Sequence, residues 1–466
     1  MQCDPVGPVH PSTSLRHVAD KAAALLSQYD VAVPTYGHYP SRRDWTGVFT
    51  CDAWTQQLST LHGSTVPLAL HVHLPFCDSG CLSCGGLATL TSRAERVDQY
   101  LDRLEHEIDI VARAIGDRPR VHEMHWGGGT PNLLDDEQLA RLADMLQHAF
   151  DIDAQTKCSI DADPRLATPA QLNTLVSLGF RRICFGVQDL DPAARLATGR
   201  VHQPEQPLRD AVAEARIAGF DCVELELLFG LPGQGAESFA RSLTTVVELA
   251  ADRVACHGAA RVPWLRAHLK RTDDLTLQLG RERFGMFRDA VCLLAASGYA
   301  WIGADHFVRA DDALVLAADD GRLSRTGMGY TTRAGTNMLG LGTGAMSELN
   351  GWCVQNTADP VAWQRAVGAR QLPLEQGHVR SPDDTDRAAA ITHLLCNAEL
   401  PYDLFLGDMY ELVDRFEEFA ADGLVEFQSE RVVVTPLGRF FLRALCGTLD
   451  AYRVALDLPV RYSHAV

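Results

Sequence analysis

From residue 68 the chain alternates short apolar runs with amphipathic helical stretches, and this alternation restricts the fold more than any other feature. The runs Leu68–Leu74, Val121–Trp126, Cys158–Ala162, Arg182–Val187, Val223–Phe229 and Arg253–His257 have the length and apolarity of buried strands. Between them, Arg93–Ile115, Asp135–Phe150, Pro207–Ala218 and Ala236–Leu249 carry apolar residues at helical spacing. Six such βα units make a parallel sheet with its helices outside. Six is too few for a closed eight-stranded barrel, so the expected fold is α/β, a three-quarter (β/α)6 TIM-like barrel. Parallel sheets place chemistry at the carboxyl ends of their strands, and the motifs below fall there.

The flanks read differently. Residues 1–60, rich in Pro, His and Tyr around 33–40, look like an irregular N-terminal arm laid over a barrel spanning 61–310. After Tyr299–Phe307, another apolar run, the segment 311–360 is Gly-rich and is expected to connect the domains and close the active site. A mainly helical C-terminal domain, 361–466, follows. Its Asp422–Phe427 and Val432–Gly438 stretches suggest a hairpin, like a winged-helix fragment. A chain of net charge −18 is a poor polyanion ligand, so a packing role is favoured there and no nucleic-acid partner is expected. No window approaches the roughly 20 apolar residues of a membrane span. Met1–His17 lacks the basic-then-apolar layout of a secretory signal, so a cytoplasmic, monomeric protein is expected.

Thirteen cysteines is a high count, but Cys184, Cys222, Cys256, Cys292, Cys396 and Cys446 sit singly in apolar surroundings, where a thiol behaves as a small hydrophobe. One group is clustered. In His71-Val-His-Leu-Pro-Phe-Cys77-Asp-Ser-Gly-Cys81-Leu-Ser-Cys84-Gly-Gly86, three cysteines spaced C-x3-C-x2-C directly follow the first strand. Three thiolates on one loop can ligate three irons of a cubane cluster and leave the fourth iron open to chelate a small molecule. A structural zinc would need a fourth ligand, for which His71 or His73 could be nominated; the spacing and its place favour the cluster.

Further polar groups end the following strands. Trp126-Gly127-Gly128-Gly129-Thr130-Pro131 closes the second, where glycines allow close approach and leave amides for a carboxylate or ribose. Asp161 and Asp163 end the third strand, Gln188 and Asp189 the fourth, and Glu226 lies in the fifth, with Arg200 beyond a short helical stretch. Each alone reads as a cap or surface ion pair. Their recurrence at one end of successive strands makes them binding candidates.

The cysteine loop, His125–Pro131, Phe185-Gly-Val-Gln-Asp189, Phe229-Gly-Leu-Pro232, Asp305-His-Phe307 and Gly329-Tyr-Thr-Thr332 together resemble the oxygen-independent coproporphyrinogen III dehydrogenases, radical S-adenosylmethionine (SAM) enzymes, over nearly the whole chain. The resemblance implies a 4Fe–4S cluster on Cys77, Cys81 and Cys84, two SAM molecules, a small-molecule substrate, and a flavodoxin- or ferredoxin-like electron donor. By position it puts Gly128, Asp161 and Ala260 on the cluster-bound SAM, and Gly129, Thr130, Gln188, Arg200 and Glu226 on the second. It adds His71 and Met346 to the cofactor-binding set, and makes Asp161, Gln188 and Glu226 the groups nearest the chemistry.

The departures are specific. The family's fourth loop cysteine is Gly86 here, its tyrosine before the loop is His71, the aromatic beside its third cysteine is Ser83, and its Phe-Gln pair is Gly327-Met328. The family's Glu and Asp are exchanged, giving Asp161 and Glu226. A retained engine with an altered substrate surround suggests methylene or methyl transfer, as C-methylation or cyclopropanation. The alternative is the parent oxidative decarboxylation of coproporphyrinogen III. A non-catalytic carrier would need no such strand-end groups. Reconstituted without oxygen, the protein is expected to bind about four irons. Cys84→Ala should abolish 5′-deoxyadenosine formation, whereas Cys292→Ala should lower only stability; product from Cys84→Ala would overturn the cluster assignment.

Overall fold

The computed structural model describes residues 13–45, 47, 50–78, 89–90, 93–199, 205–259, 280–405 and 407–454. The six expected strands are present as β1 (Leu68–Leu74), β2 (Val121–Gly128), β3 (Lys157–Ala162), β4 (Phe180–Gln188), β5 (Cys222–Phe229) and β6 (Arg253–Gly258). They pair in parallel in chain order, with helices such as Ala94–Ile115, Asp136–Ala149 and Ala236–Glu248 on the outside. Asp135 and Gln138 close a reciprocal cap at the start of Asp136–Ala149, which sets that helix's entry from the β2 loop.

The apolar run at 299–307 is a hairpin, β7 (Tyr299–Ile302) and β8 (His306–Arg309), whose second strand joins β6 in antiparallel fashion. Beyond it, the Gly-rich segment is not a mere connector. It supplies β9 (Asn337–Leu341), which lies parallel to β1 on the other side from β2, and then β10 (Met346–Leu349) and β11 (Trp352–Asn356). With β12 (Leu374–Val379) the sheet has twelve strands in the order β12-β11-β10-β9-β1-β2-β3-β4-β5-β6-β8-β7. Among the described residues β12 and β7 remain separate edges, so the barrel stays open. Short strands at Ser324–Thr326 and Gly329–Thr331 form a small hairpin of their own.

The arm is also more ordered than its composition suggests. It carries helices Thr13–Tyr29 and Cys51–Ser59. Leu15, Ala19, Ala22, Leu26 and Tyr29 are buried at helical spacing. Tyr29 stacks on Phe419 with centroids 4.8 Å apart and donates to Asp422 at 2.7 Å, which seats the arm on the C-terminal domain. That domain places helices Pro382–Asn397 and Met409–Ala421 beside a three-stranded sheet of Glu399–Pro401, Arg431–Val434 and Val425–Phe427. No helix among the described residues is long and apolar enough to cross a membrane.

Glu107, on helix Ala94–Ile115 and 1% exposed, holds the later strands to the barrel. It accepts from Gly342 N at 3.0 Å, Trp363 Nε1 at 2.9 Å and Asn356 Nδ2 at 2.6 Å, while burial raises its carboxyl to about 7. Glu107→Ala would leave three buried donors without their acceptor and a cavity beside them. Urea unfolding of the cluster-loaded variant should show a loss of about 2–4 kcal/mol; an unchanged midpoint would remove this role.

Candidate active site

Along the strands, outward positions are apolar and buried: Leu70 and Val72 in β1, Ile183, Phe185 and Val187 in β4, Val223, Leu225 and Leu227 in β5. Successive side chains on a strand point to opposite faces. The alternate, inward positions are polar: His71 and His73, His125, Ser159 and Asp161, Arg182, Glu224 and Glu226, His257. Closed parallel barrels usually fill this space with branched apolar side chains. Here the lumen is charged.

These groups form one connected chain across the barrel. His257 Nδ1 lies 2.9 Å from Asp305 Oδ2, and His306 Nδ1 lies 2.8 Å from Asp305 Oδ1. His306 Nε2 is 3.6 Å from Glu224, and Arg182 donates to Glu224 at 3.4 Å and to Ser159 Oγ at 3.1 Å. Ser159 Oγ is 2.9 Å from His125 Nδ1, and His125 Nε2 is 3.3 Å from Asp161 Oδ2. The Ser159 hydroxyl also donates to Met124 O at 3.3 Å, so its single proton serves either that carbonyl or His125 Nδ1. His71 stacks on His125 with centroids 5.9 Å apart, and burial, with His125 and then His73 nearby, lowers it to about 3.

Cys77 lies in the two-residue strand Phe76–Cys77, which pairs with Thr89–Leu90, so both ends of the cysteine loop are pinned together. Cys81, Cys84, Gly86, Arg200 and Ala260 lie outside the described residues. The glycine triplet sits against this anchor. A Cβ on Gly127 would stand 2.7 Å from His125 Nε2, and one on Gly128, whose φ is +107°, would stand 2.5 Å from His73 Nδ1. On Gly129 it would collide with the Phe76 backbone. The amides expected to be left for a ligand are used within the protein: Gly129 N–H donates to Leu74 O at 2.8 Å and Thr130 N–H to Phe76 O at 2.6 Å. The Thr130 hydroxyl donates to Cys77 Sγ at 3.5 Å.

At the opposite side of the mouth, Gln188 adopts φ +63°, a left-handed conformation uncommon for a residue with a side chain, and donates to Glu226 at 3.4 Å. Met346 is half-buried at the start of β10, two strands from β1. Two strand-end carboxylates have structural partners. Asp163 is gripped by Arg165 at 2.5 Å, and Asp189, 1% exposed, accepts from Gln234 and Ser242, each at 2.5 Å. Cys184 and Cys222 are inward on the register, yet burial raises both thiols, the second to about 12, so neither is a ready thiolate. The motifs Asp305-His-Phe307 and Gly329-Tyr-Thr-Thr332 meet where Tyr330 packs edge-on to His306, 4.8 Å between centroids.

An open parallel barrel with a thiolate loop after its first strand is the architecture of a radical SAM protein, and residues 71–246 match the family model of the radical SAM superfamily. The match to individual proteins extends further. The chain is 34% identical to the oxygen-independent coproporphyrinogen III oxidase of Escherichia coli K12 over 437 residues, 92% of this chain and 95% of the relative. It is 34% identical to the Pseudomonas aeruginosa protein of the same name, over 95% of this chain and 98% of that one. The solved structure of coproporphyrinogen III oxidase (HemN) from Escherichia coli superposes with a TM-score of 0.84 at 32% identity, covering 92% of this chain and 98% of that one. The chain belongs to the family of the oxygen-independent coproporphyrinogen III oxidases.

Burial alone would lower His257, but the Asp305 carboxylate brings it to about 8; the two imidazoles in turn hold Asp305 well below the carboxylate range against its own burial. A histidine raised in the folded state stabilises fully below its unfolded value of about 6.5 and loses that stabilisation as pH rises through about 8. Asp305→Asn is therefore expected to cost about 1–2 kcal/mol at pH 6 and less at pH 9. Thermal unfolding at both pH values checks this; an equal loss at both would refute the pairing.

Proposed function

We propose that the chain catalyses the reaction for which its relatives are named, the oxidative decarboxylation of coproporphyrinogen III. The observation that carries this reading is the extent of the match, which includes the arm and the C-terminal domain as well as the barrel. The departures at Gly86, His71 and Gly327-Met328 favour methylene or methyl transfer when weighed alone. None of the relatives reported above carries a methyl-transfer name, and that reading gives way to the parent one.

The residues present suit the cofactors that membership implies: cysteines on a loop pinned at both ends, beside a glycine turn that packs onto its anchor too closely for any side chain. When bound, a 4Fe–4S cluster and SAM supply a 5′-deoxyadenosyl radical able to take a hydrogen atom from an unactivated carbon. Cys77, Cys81 and Cys84 would hold the cluster, and Gly128, Asp161 and Ala260 the SAM upon it. Gln188, Arg200 and Glu226 would bind a second SAM, with Gly129, Thr130, His71 and Met346 shaping the walls. A flavodoxin- or ferredoxin-like protein is the proposed electron donor.

On the substrate, each reacting propionate loses a hydrogen atom from the carbon next to the ring. Its carboxylate then leaves as CO2, and one electron passes to an acceptor, giving a vinyl group. The chain's own part is positioning and proton control. Arg182 and the histidines line the lumen with donors, while Asp161, held by His125, and Glu226, held by Gln188, present acceptors at the mouth.

Anaerobic assay with coproporphyrinogen III, SAM and a low-potential reductant should show loss of two carboxyl groups by mass. Gly86→Cys, which restores the family's residue, is expected to raise the rate. Formation of 5′-deoxyadenosine with no decarboxylation by either protein would sink the proposal, and transfer of label from methyl-deuterated SAM to a substrate would replace it.

A further inference from the structure

Arg283 is the most anomalous charge among the described residues. It lies in the first turn of helix Arg281–Ala296 and is 5% exposed. Among the described residues no hydrogen bond or ion pair engages its guanidinium, and its Nε is wholly buried without a partner. The group sits 5.5 Å above the Phe229 ring at the carboxyl end of β5 and against Gly258 at the carboxyl end of β6, where a Cβ would collide with Nη2. Burial, with Arg443 beside it, lowers this arginine to about 10.

The guanidinium faces a cavity of about 40 Å³, bordered also by Arg439, Arg443, Asp305 and Phe287. Against the three guanidiniums stand Asp305 and, acting on Arg283 and Arg443, Asp30, so the space keeps a net positive charge. Arg439 donates to Trp301 O at 2.6 Å and its Nε is likewise buried without a partner; Arg443 donates to Val33 O at 2.6 Å. Asp305 has both oxygens committed to His257 and His306. A water needs roughly 10–15 Å³ of such space, so the cavity has room for about three waters, close to one carboxylate group. An isolated buried charge is strongly unfavourable unless an opposite charge meets it.

We propose that Arg283, with Arg439 and Arg443, forms a carboxylate-binding subsite at the rim of the barrel between β5 and β6, which anchors one carboxylate of the substrate. The assignment to substrate rests on the porphyrinogen reading above; the subsite itself rests on the unmatched guanidinium. An arginine at the carboxyl end of two barrel strands is placed to hold a propionate that does not react and so to orient the rings for those that do.

The test uses the full-length, cluster-loaded protein and the variant Arg283→Met, which keeps the bulk and removes the charge. Propionate, compared with chloride at equal ionic strength, should raise the wild-type melting temperature and leave that of Arg283→Met unchanged. Arg283→Met itself should melt no lower than wild type, because an unmatched buried charge has gone. Coproporphyrin III should bind the variant about 10- to 100-fold more weakly, the loss of a charge-assisted pair. Its tetramethyl ester should not distinguish the two proteins. Equal propionate responses, or a variant that only loses stability, would overturn the subsite. A propionate effect confined to wild type, with coproporphyrin III bound by neither, would keep the subsite and reject the porphyrinogen reading.

Discussion

A parallel strand covered by helices on one side and by its own barrel on the other would ordinarily be apolar throughout, yet here most inward side chains of the central strands are polar. The rest of the structure depends on how that polarity is satisfied. His257, Asp305, His306, Glu224, Arg182, Ser159, His125 and Asp161 do so by pairing with one another around the wall, so that none of these eight groups faces apolar surroundings alone. A fully satisfied network is rigid, and a half-satisfied one is worse than an apolar core. The polar wall is thereby held in place by its own contacts rather than by apolar packing.

The mouth of the barrel is organised by backbone rather than by side chains. The Gly127–Gly129 turn approaches the first strand closely enough to make two amide-to-carbonyl bonds, and this contact locates the cysteine loop relative to His73 and Asp161. Its geometry does not depend on what the loop's own side chains are.

The barrel strands were legible because each is an apolar run bounded by turn signals, and the observed ends differ from the expected ones by at most two residues. The sheet's other half was not. Asn337–Leu341 reads as Gly-rich because Gly340 lies against the Met346 backbone, a tertiary demand that obscures strand propensity. The arm helix Thr13–Tyr29 did carry a signal, the spacing of Leu15, Ala19, Ala22, Leu26 and Tyr29, hidden by the proline-rich stretch after it. Asp163 and Asp189 looked like ligands by position; only coordinates show Arg165, Gln234 and Ser242 occupying them. The lumen network was present as a period of two, in His71-x-His73, Ser159-x-Asp161 and Glu224-x-Glu226, within runs otherwise read as continuous apolar strands.

The seating of the first helix on the last domain bears on how the chain is made. Gln28 and Tyr29 bond to Glu418 and Asp422, nearly 400 residues later, whereas Asp20 pairs with Arg288, so the helix meets Arg281–Ala296 before it meets the C-terminal domain. At about 5–20 residues per second, the side that meets the C-terminal domain stays bare for roughly 20–80 s after the helix is made. For that interval the newborn protein carries a partly covered amphipathic helix, and the strands of the barrel can pair before the clasp closes. Full burial of the first helix is thus timed by translation of the carboxyl-terminal domain.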